Sequence, residues 1–505
     1  MIESVTSIRP VLALCCPLVA AFLILFSRNH PNIREGWTMA AAVAQFLIVV
    51  TMALDVRGLN GGVLEYYLFT ILPNVEFGFK IDAFGLLFAL TSASLWILVS
   101  SYSVGYMRSL HEHAQTRYYF CFALAILGAE GVAMSANLFT MFIFYEILTV
   151  STYPLVAHDQ TEEAIFGGRK YLAYLLTAGV FFLAAVLLTY SFVGTTDFTN
   201  GGILSTDAAS PAALTVLFFF FMLGFMKAAW MPFHSWLPTA MVAPTPVSAL
   251  LHAVAVVKAG VFCIIRAVCY IYGVDLMTEL GLGVILATIA GFTMLAASLM
   301  AISQDNLKRR LAYSTISQLS YIIFGVSLLS PMGIQGAMLH IPFHGFMKIT
   351  LFMCAGSIMV ATGKKNISEM AGIGRIMPLT MFAFTIGALG MAGAPPACGF
   401  VSKWYLCMGT LQADKLVLLA VLLISSLLDI IYFFPIIRTA FFEKPKDVDV
   451  SIHEWKPKIK ESSPFMVFPL VTTAIFSILF CIPNPVSEVI ISLARIAVTS
   501  LGGGI

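Results

Sequence analysis

The sequence predicts an all-α polytopic membrane protein of about fourteen transmembrane helices, with two inverted five-helix repeats and two discontinuous helices. Three observations carry that prediction. Apolar residues are 59% of the 505 and charged residues only 11%, with a mean hydropathy of +0.92, which leaves too little polar surface to cover a soluble globule. The apolar residues gather in runs of about 20, the length a helix needs to cross a bilayer core. Lysine and arginine collect in alternate loops, as they do when one side of every hairpin faces the cytoplasm.

The runs fall at 10–27, 36–54, 82–105, 118–135, 137–157, 170–192, 213–230, 246–271, 282–302, 311–330, 333–361, 377–412, 414–438 and 465–484. Basic residues cluster at 28–34, 108–117, 167–170, 308–310, 364–375 and from Arg438 to Lys460, so these loops read as cytoplasmic. The opposite loops are poor in base, and 195–210 holds neither lysine nor arginine. The long segment 55–81, with Arg57 and Lys80, is the mild exception. An even number of spans places both termini on the outer side of a cell inner membrane. The polar stretch 442–462 reads as a cytoplasmic loop or surface helix, and the tail from Pro485 as a segment lying along the membrane surface. No cleavable signal peptide is evident.

Net charge is +2 and most of the few charges sit in loops, which excludes a nucleic-acid binder. The nine cysteines lie within apolar runs without a CxxC pair, so disulfides, iron–sulfur centres and structural zinc are not expected.

Two spans are interrupted. Pro232 and Pro238 bracket the polar break FHSW after Lys227, and Pro395, Pro396 and Gly399 precede Lys403. Proline removes a donor and leaves carbonyls unpaired, a state tolerated at bilayer depth only inside protein or beside a wet cavity. Five spans from the fourth through the eighth and five from the ninth through the thirteenth make the two interrupted helices equivalent. Because five is odd, the sets have opposite orientation. The expected division is 1–117 for the first three helices, 118–271 and 282–441 for the two repeats, and 442–505 for a cytoplasmic loop, the last helix and the tail.

Five charges sit within spans: Glu146, Lys227, Lys258, Lys348 and Lys403. Unpaired, they would cost on the order of 12–17 kcal/mol on insertion scales, so they face a protein interior or water. Glu146 has no basic residue in its own helix, which makes Lys227 or Lys258 its natural partner. His340, His344 and Lys348 repeat at i, i+4, i+8 along one helix face. His252 and Lys258 are six apart and flank a cavity more readily than they stack. Lysines offer no oxygen to Na⁺ or K⁺ but can exchange protons when buried, so the line favours a proton relay.

The alternatives are structural. Lys348 and Lys403 could snorkel to an interface, and His234, beside the break, is as well placed to cap the broken helix as to join the proton relay. His340 and His344 lack a third ligand for zinc. Asp305, Lys308, Arg309 and Arg310 read as an interfacial charged turn, and Glu130 as a carboxylate near the outer interface needing no partner.

The stretches FYEILTVSTYPLV, FMKAAWMPFHSWLPTAMVAPTPVSALLHAVAVVKAGVF, QDNLKRRLAYSTISQLSY, HIPFHGFMKITLF and GFVSKW resemble the antiporter-like subunits of respiratory complex I and of Mrp-type cation/proton antiporters, from about Asp82 to Lys403. The resemblance implies a fourteen-helix core and a polar axis halfway through the membrane. It implies proton-transfer roles for Glu146 and its partner Lys227, for Lys258 with His252 nearby, for His340, His344 and Lys348, and for Lys403. It makes the chain a proton-translocating component working with other integral membrane subunits, first of an Mrp-type antiporter, otherwise of complex I or a membrane-bound hydrogenase. Na⁺ or K⁺ would be handled elsewhere in such a complex. No cofactor and no metal are expected. A haem- or quinone-binding subunit using His252, His340 and His344, and a self-sufficient transporter, are the competing classes.

Overall fold

The structure, a computed structural model, describes residues 4–59, 61–445 and 457–502, so 446–456 of the expected cytoplasmic loop lie outside the described residues. Its helices follow the apolar runs. They are α1 Arg9–Phe26, α2 Pro31–Gly58, α3 Ala83–Ser109, α4 Gln115–Met134, α5 Leu138–Val156, α6 Glu162–Val193, α7 Pro211–Gly224 and α8 Thr245–Tyr272. There follow α9 Leu282–Ile302, α10 Leu307–Ser327, α11 Pro331–Thr362, α12a Pro378–Ala392, α12b Gly399–Gln412, α13 Leu416–Phe442, α14 Pro464–Leu479 and α15 Pro485–Ser500. Ten of the described helices are long and apolar enough to cross a membrane, and the chain is a multi-pass membrane protein.

Local chemistry sets the ends. The side chains of Asp82, Asn137, Thr161, Ser210, Asn306 and Ser330 accept a first-turn N–H and start α3, α5, α6, α7, α10 and α11. The halves of the chain share a detail. Asn137 before α5 bridges Asp197 after α6, and Asn306 before α10 bridges Asn366 after α11.

α8 is wholly buried, and α3, α10 and α11 pack around it, whereas α2, α6 and α13 turn most of their apolar surface outward. Val180 is 70% exposed and Val417 79%, surface suited to lipid or to neighbouring membrane subunits rather than to water. α10 carries too many polar residues to read as a lipid-facing span, and it sits inside the bundle.

Three features depart from the sequence reading. Segment 55–81 is not an open loop, because Val63–Leu72 and Val75–Ile81 form an antiparallel hairpin whose first strand also pairs in parallel with Ser4–Thr6. The signal was present: two runs rich in aromatic and β-branched residues flank Pro73-Asn74, and Asn74 takes the left-handed conformation (φ 59°) of a tight turn. α8 contains two π-helical turns, Leu250–Val254 and Ala267–Tyr272. The tail is no free surface segment. α15 packs along α3 and α11 through Ile490, Leu493, Ala494 and Ala497, and it ends beside Gly61 and the sheet. The Pro483-Asn484-Pro485 punctuation breaks the chain there, and the Asn484 side chain caps the new helix.

Candidate functional site

The interrupted helices bring their lysines to the interior. α7 ends at Gly224, a 3₁₀ turn Met226–Ala228 carries Lys227, and the chain then wanders through the proline-marked break to α8. Lys227 is fully buried. Its ammonium donates to the Tyr145 carbonyl and stands 3.2 Å from the centre of the Tyr145 ring, a cation–π contact that partly replaces lost hydration. Gly260 of α8 makes this approach possible, since a Cβ there would lie 2.2 Å from the Ala228 nitrogen.

Glu146 sits one residue along α5 from Tyr145, half-buried, its carboxylate lying over Gly179 of α6, where a Cβ would come within 2.6 Å of Oε1. Glu146 Oε1 has no hydrogen-bond partner. The expected contact pair is not formed in this arrangement: among the described residues no ion pair joins Glu146 to Lys227 or to Lys258, because Lys227 is turned onto the tyrosine.

From Lys258 onward the polar groups touch in sequence. Lys258 Nζ is 2.5 Å from His344 Nδ1. The His344 ring stacks on His340 at 5.8 Å between centroids, the geometry that i, i+4 spacing on α11 sets up. His340 Nδ1 meets Ser402 Oγ of α12b at 2.8 Å, and its Nε2 meets Gln318 Oε1 of α10 at 3.0 Å. Gln318 Nε2 donates to Asp429 Oδ2 of α13 at 2.8 Å. Asp429 and Lys403 form an ion pair at 2.7 Å, and Lys403 also donates to the Met391 carbonyl at 2.8 Å and to Ser426 Oγ at 3.2 Å. Every member of this line is buried, Lys403 at 6% exposure included, so neither Lys403 nor Lys348 snorkels to an interface. Lys348 forms a side branch, donating to Ser314 Oγ and the Leu311 carbonyl.

The remaining candidates stand apart. His252 occupies the first π turn of α8, fully buried, its ring 4.7 Å from that of Phe352 and both nitrogens without partners. His234 lies half-buried in the break, 6.5 Å from the Tyr313 ring, with Nδ1 unpartnered, and it caps no helix. Among the described residues no hydrogen bond connects Lys227 to Lys258. The charged turn ties loops together: Lys308 Nζ donates to the Ala243 carbonyl, Arg310 to the Tyr432 and Gln304 carbonyls, and Asp305 accepts from Ser368. Glu130 is not at an interface. It is fully buried on α4, and neither oxygen has a hydrogen-bond partner.

Sequence reasoning missed Asp429, together with the polar residues Gln318, Ser402 and Ser314 that link the charges. The Asp429 signal was available, since a lone carboxylate in LVLLAVLLISSLLDIIYFF meets the same argument that singled out Glu146. Gln318 and the serines carry no such signal, because neutral polar residues are ordinary in membrane helices.

A family described as NADH:quinone oxidoreductase/Mrp antiporter, transmembrane, matches residues 135–429. The chain is 33% identical over 443 residues to NADH-quinone oxidoreductase subunit N of Desulforudis audaxviator, covering 87% of each chain. It is 28% identical over 435 residues to a Na(+)/H(+) antiporter subunit of Alkalihalophilus pseudofirmus, covering 86% of each, and it spans 62% of a longer Na(+)/H(+) antiporter subunit of that organism, at 30% identity. Its structure is similar to a chain of the membrane-bound sulfane sulfur reductase, an archaeal respiratory membrane complex, with a TM-score of 0.85 at 25% identity over 98% of both chains.

Proposed function

The chain belongs to the NADH:quinone oxidoreductase/Mrp antiporter transmembrane family, and on that premise we propose that it is a proton-translocating subunit of a multi-subunit membrane complex. The observation that carries the reading is the buried succession Lys258, His344, His340, Gln318, Asp429, Lys403, which crosses four helices, α8, α11, α10 and α13, and reaches a fifth at α12b. A protonated Lys258 is placed to give its proton to His344 Nδ1. The imidazolium so formed stands 5.8 Å from the His340 ring, where a unit charge is felt at about 3 kcal/mol for an effective dielectric constant of about 20. His340 in turn bears on the Asp429–Lys403 pair through Gln318, so a charge arriving at one end loosens or tightens the ion pair at the other.

Glu146 and Lys227 form the input half of the relay in this reading. The ammonium, now folded onto Tyr145, swings between Glu146 and the Lys258 side and closes the interval between the two lysines, while a bridging water closes the second interval, between the stacked rings of His344 and His340. Both His252 nitrogens and His344 Nε2 are without hydrogen-bond partners, and they supply buried groups that water can bridge. His234 and Lys348 serve as branches toward the loops that read as cytoplasmic.

The two five-helix sets, 118–271 and 282–441, act as inverted repeats; the matched asparagine bridges and the broken seventh and twelfth helices support that division. Both termini face outward. An Mrp-type monovalent cation/proton antiporter is the first assembly to test, supported by the match to the shorter antiporter relative over 86% of each chain. A redox-driven pump is the second, supported by the match to the quinone oxidoreductase relative and the likeness to the reductase chain.

The experiment is purification of the intact complex followed by vesicle transport. An antiporter exchanges Na⁺ or K⁺ for protons without any electron donor, and a pump acidifies vesicles only during electron transfer. Protein that assembles but does neither contradicts the proposal.

A further inference from the structure

Away from the buried axis, a second group of titratable side chains sits where two loops meet at the end of the bundle opposite the sheet. Glu112 and His113 belong to the turn between α3 and α4, and His158 follows the end of α5 by two residues. A carboxylate oxygen of Glu112 and a ring nitrogen from each histidine all lie within 4.8 Å of one another. Glu112 Oε2 is 3.9 Å from His113 Nδ1, and the two imidazole centroids are 4.8 Å apart.

His158 makes this more than a chance surface grouping. It is fully buried, and neither of its ring nitrogens has a hydrogen-bond partner, although its own carbonyl is fixed by Arg117 at 2.9 Å. A buried polar group without a partner is costly, and a lone pair aimed at two further ligands is the arrangement a metal ion would satisfy. Glu112 and His113 are the more exposed half: their side chains are 20% and 50% exposed on a short turn. Zinc–nitrogen bonds of about 2.0–2.1 Å place tetrahedral ligands roughly 3.4 Å apart, so these two must close inward by about an ångström. Two imidazoles and a carboxylate form a three-ligand set with a fourth position left for water, and the nitrogen donors select zinc-like ions over magnesium or calcium.

Glu112 also lines a cavity of about 1050 Å³ whose wall includes Tyr106, Asp159, Thr239, Lys308 and Lys365. This is the charged opening at the loop end of the bundle, reaching the break between α7 and α8. We propose that Glu112, His113 and His158 bind a zinc-type divalent ion, and that the bound ion obstructs proton uptake through this cavity. The binding half stands on the side chains alone, and the obstruction half rests on the proton-translocation reading above. This trio is not legible in the sequence, because His113 and His158 are 45 positions apart and no ligand spacing marks them.

The test uses the purified intact complex with Co²⁺ as a spectroscopic probe and Zn²⁺ as competitor. The expected result is Co²⁺ absorption of the tetrahedral type, displaced by Zn²⁺ and lost in both His113→Ala and His158→Asn. Glu112→Gln, on the partly exposed turn, weakens binding by about tenfold or more, given that even outer-shell changes cost about 10–100-fold. Absence of the band in the parent, or its persistence in His113→Ala and Glu112→Gln, overturns the site. In vesicles, Zn²⁺ added on the loop side should slow proton movement in the parent, and the same variants should resist it. Binding that the variants remove without any effect of Zn²⁺ on transport overturns the obstruction alone. A parent that moves no protons before Zn²⁺ is added contradicts the functional reading and leaves the metal site standing.

Discussion

Asp429→Leu would leave the Lys403 ammonium buried with the Met391 carbonyl, Ser426 and the hydroxyl and ring of Tyr321 as its remaining close partners. Across 2.7 Å the lost attraction is about 6 kcal/mol at an effective dielectric constant of about 20, and desolvating both charges offsets much of it. Removing one partner of a buried pair generally costs about 3–5 kcal/mol. The surviving donors to Met391 and Ser426 put this case at the lower end. Lys403→Met strands the other member, a carboxylate still held by Gln318 and Tyr432, at a similar cost. The double variant Lys403→Met/Asp429→Leu removes both charges and should return to within about 1 kcal/mol of the parent. A double-mutant cycle, read by denaturant unfolding of the purified protein in lipid-containing micelles, should therefore show a coupling of at least about 3 kcal/mol. The transport readout separates stability from function, because the double variant should fold and assemble yet move no protons. Additive losses with a coupling below about 0.5 kcal/mol, or parent-like transport by the double variant, would refute the reasoning.

Glu146→Gln and Lys227→Ala should each depress proton movement in vesicles while the complex still assembles, and near-normal rates in both would remove the input half of the relay. Gly179→Val, whose Cβ would start 2.6 Å from Glu146 Oε1, should reproduce the Glu146→Gln defect without touching a charge; parent-like transport would show that the carboxylate's position is unimportant. His344→Phe should impair transport far more than His252→Phe, because His344 touches Lys258 whereas neither His252 nitrogen has a partner; the reverse order of severity would exchange their roles. Gly260→Val should cost several kcal/mol and lower the amount of assembled complex, since its Cβ would collide with the Ala228 backbone at 2.2 Å; normal abundance would mean that the α7–α8 contact is looser than described.

The helices were legible because lipid enforces a simple rule: apolar runs of span length, punctuated by caps and prolines, mark each of them, although polar first turns carry helices such as Glu162–Val193 beyond the run at 170–192. The hairpin after α2 is encoded in the alternation around Pro73-Asn74, which hydropathy averaged over the length of a membrane span does not register. The charges of the site were legible for the same reason as the helices, each being an expensive exception within a span. What sequence could not give was pairing. Nothing in the spacing of Lys258 and His344, 86 residues apart, or of Lys403 and Asp429, says that they touch, and Lys227 folds onto the neighbour of its expected partner instead.

The most direct measurement is proton flux in proteoliposomes holding the intact complex with Lys258→Met, with assembly verified on the same preparation. Lys258 is where the hydrogen-bonded line begins, and a positioned proton-transfer group commonly contributes about a hundredfold or more, so flux should fall by about that factor. Assembled complex carrying Lys258→Met that moves protons at the parent rate would contradict conduction along this axis.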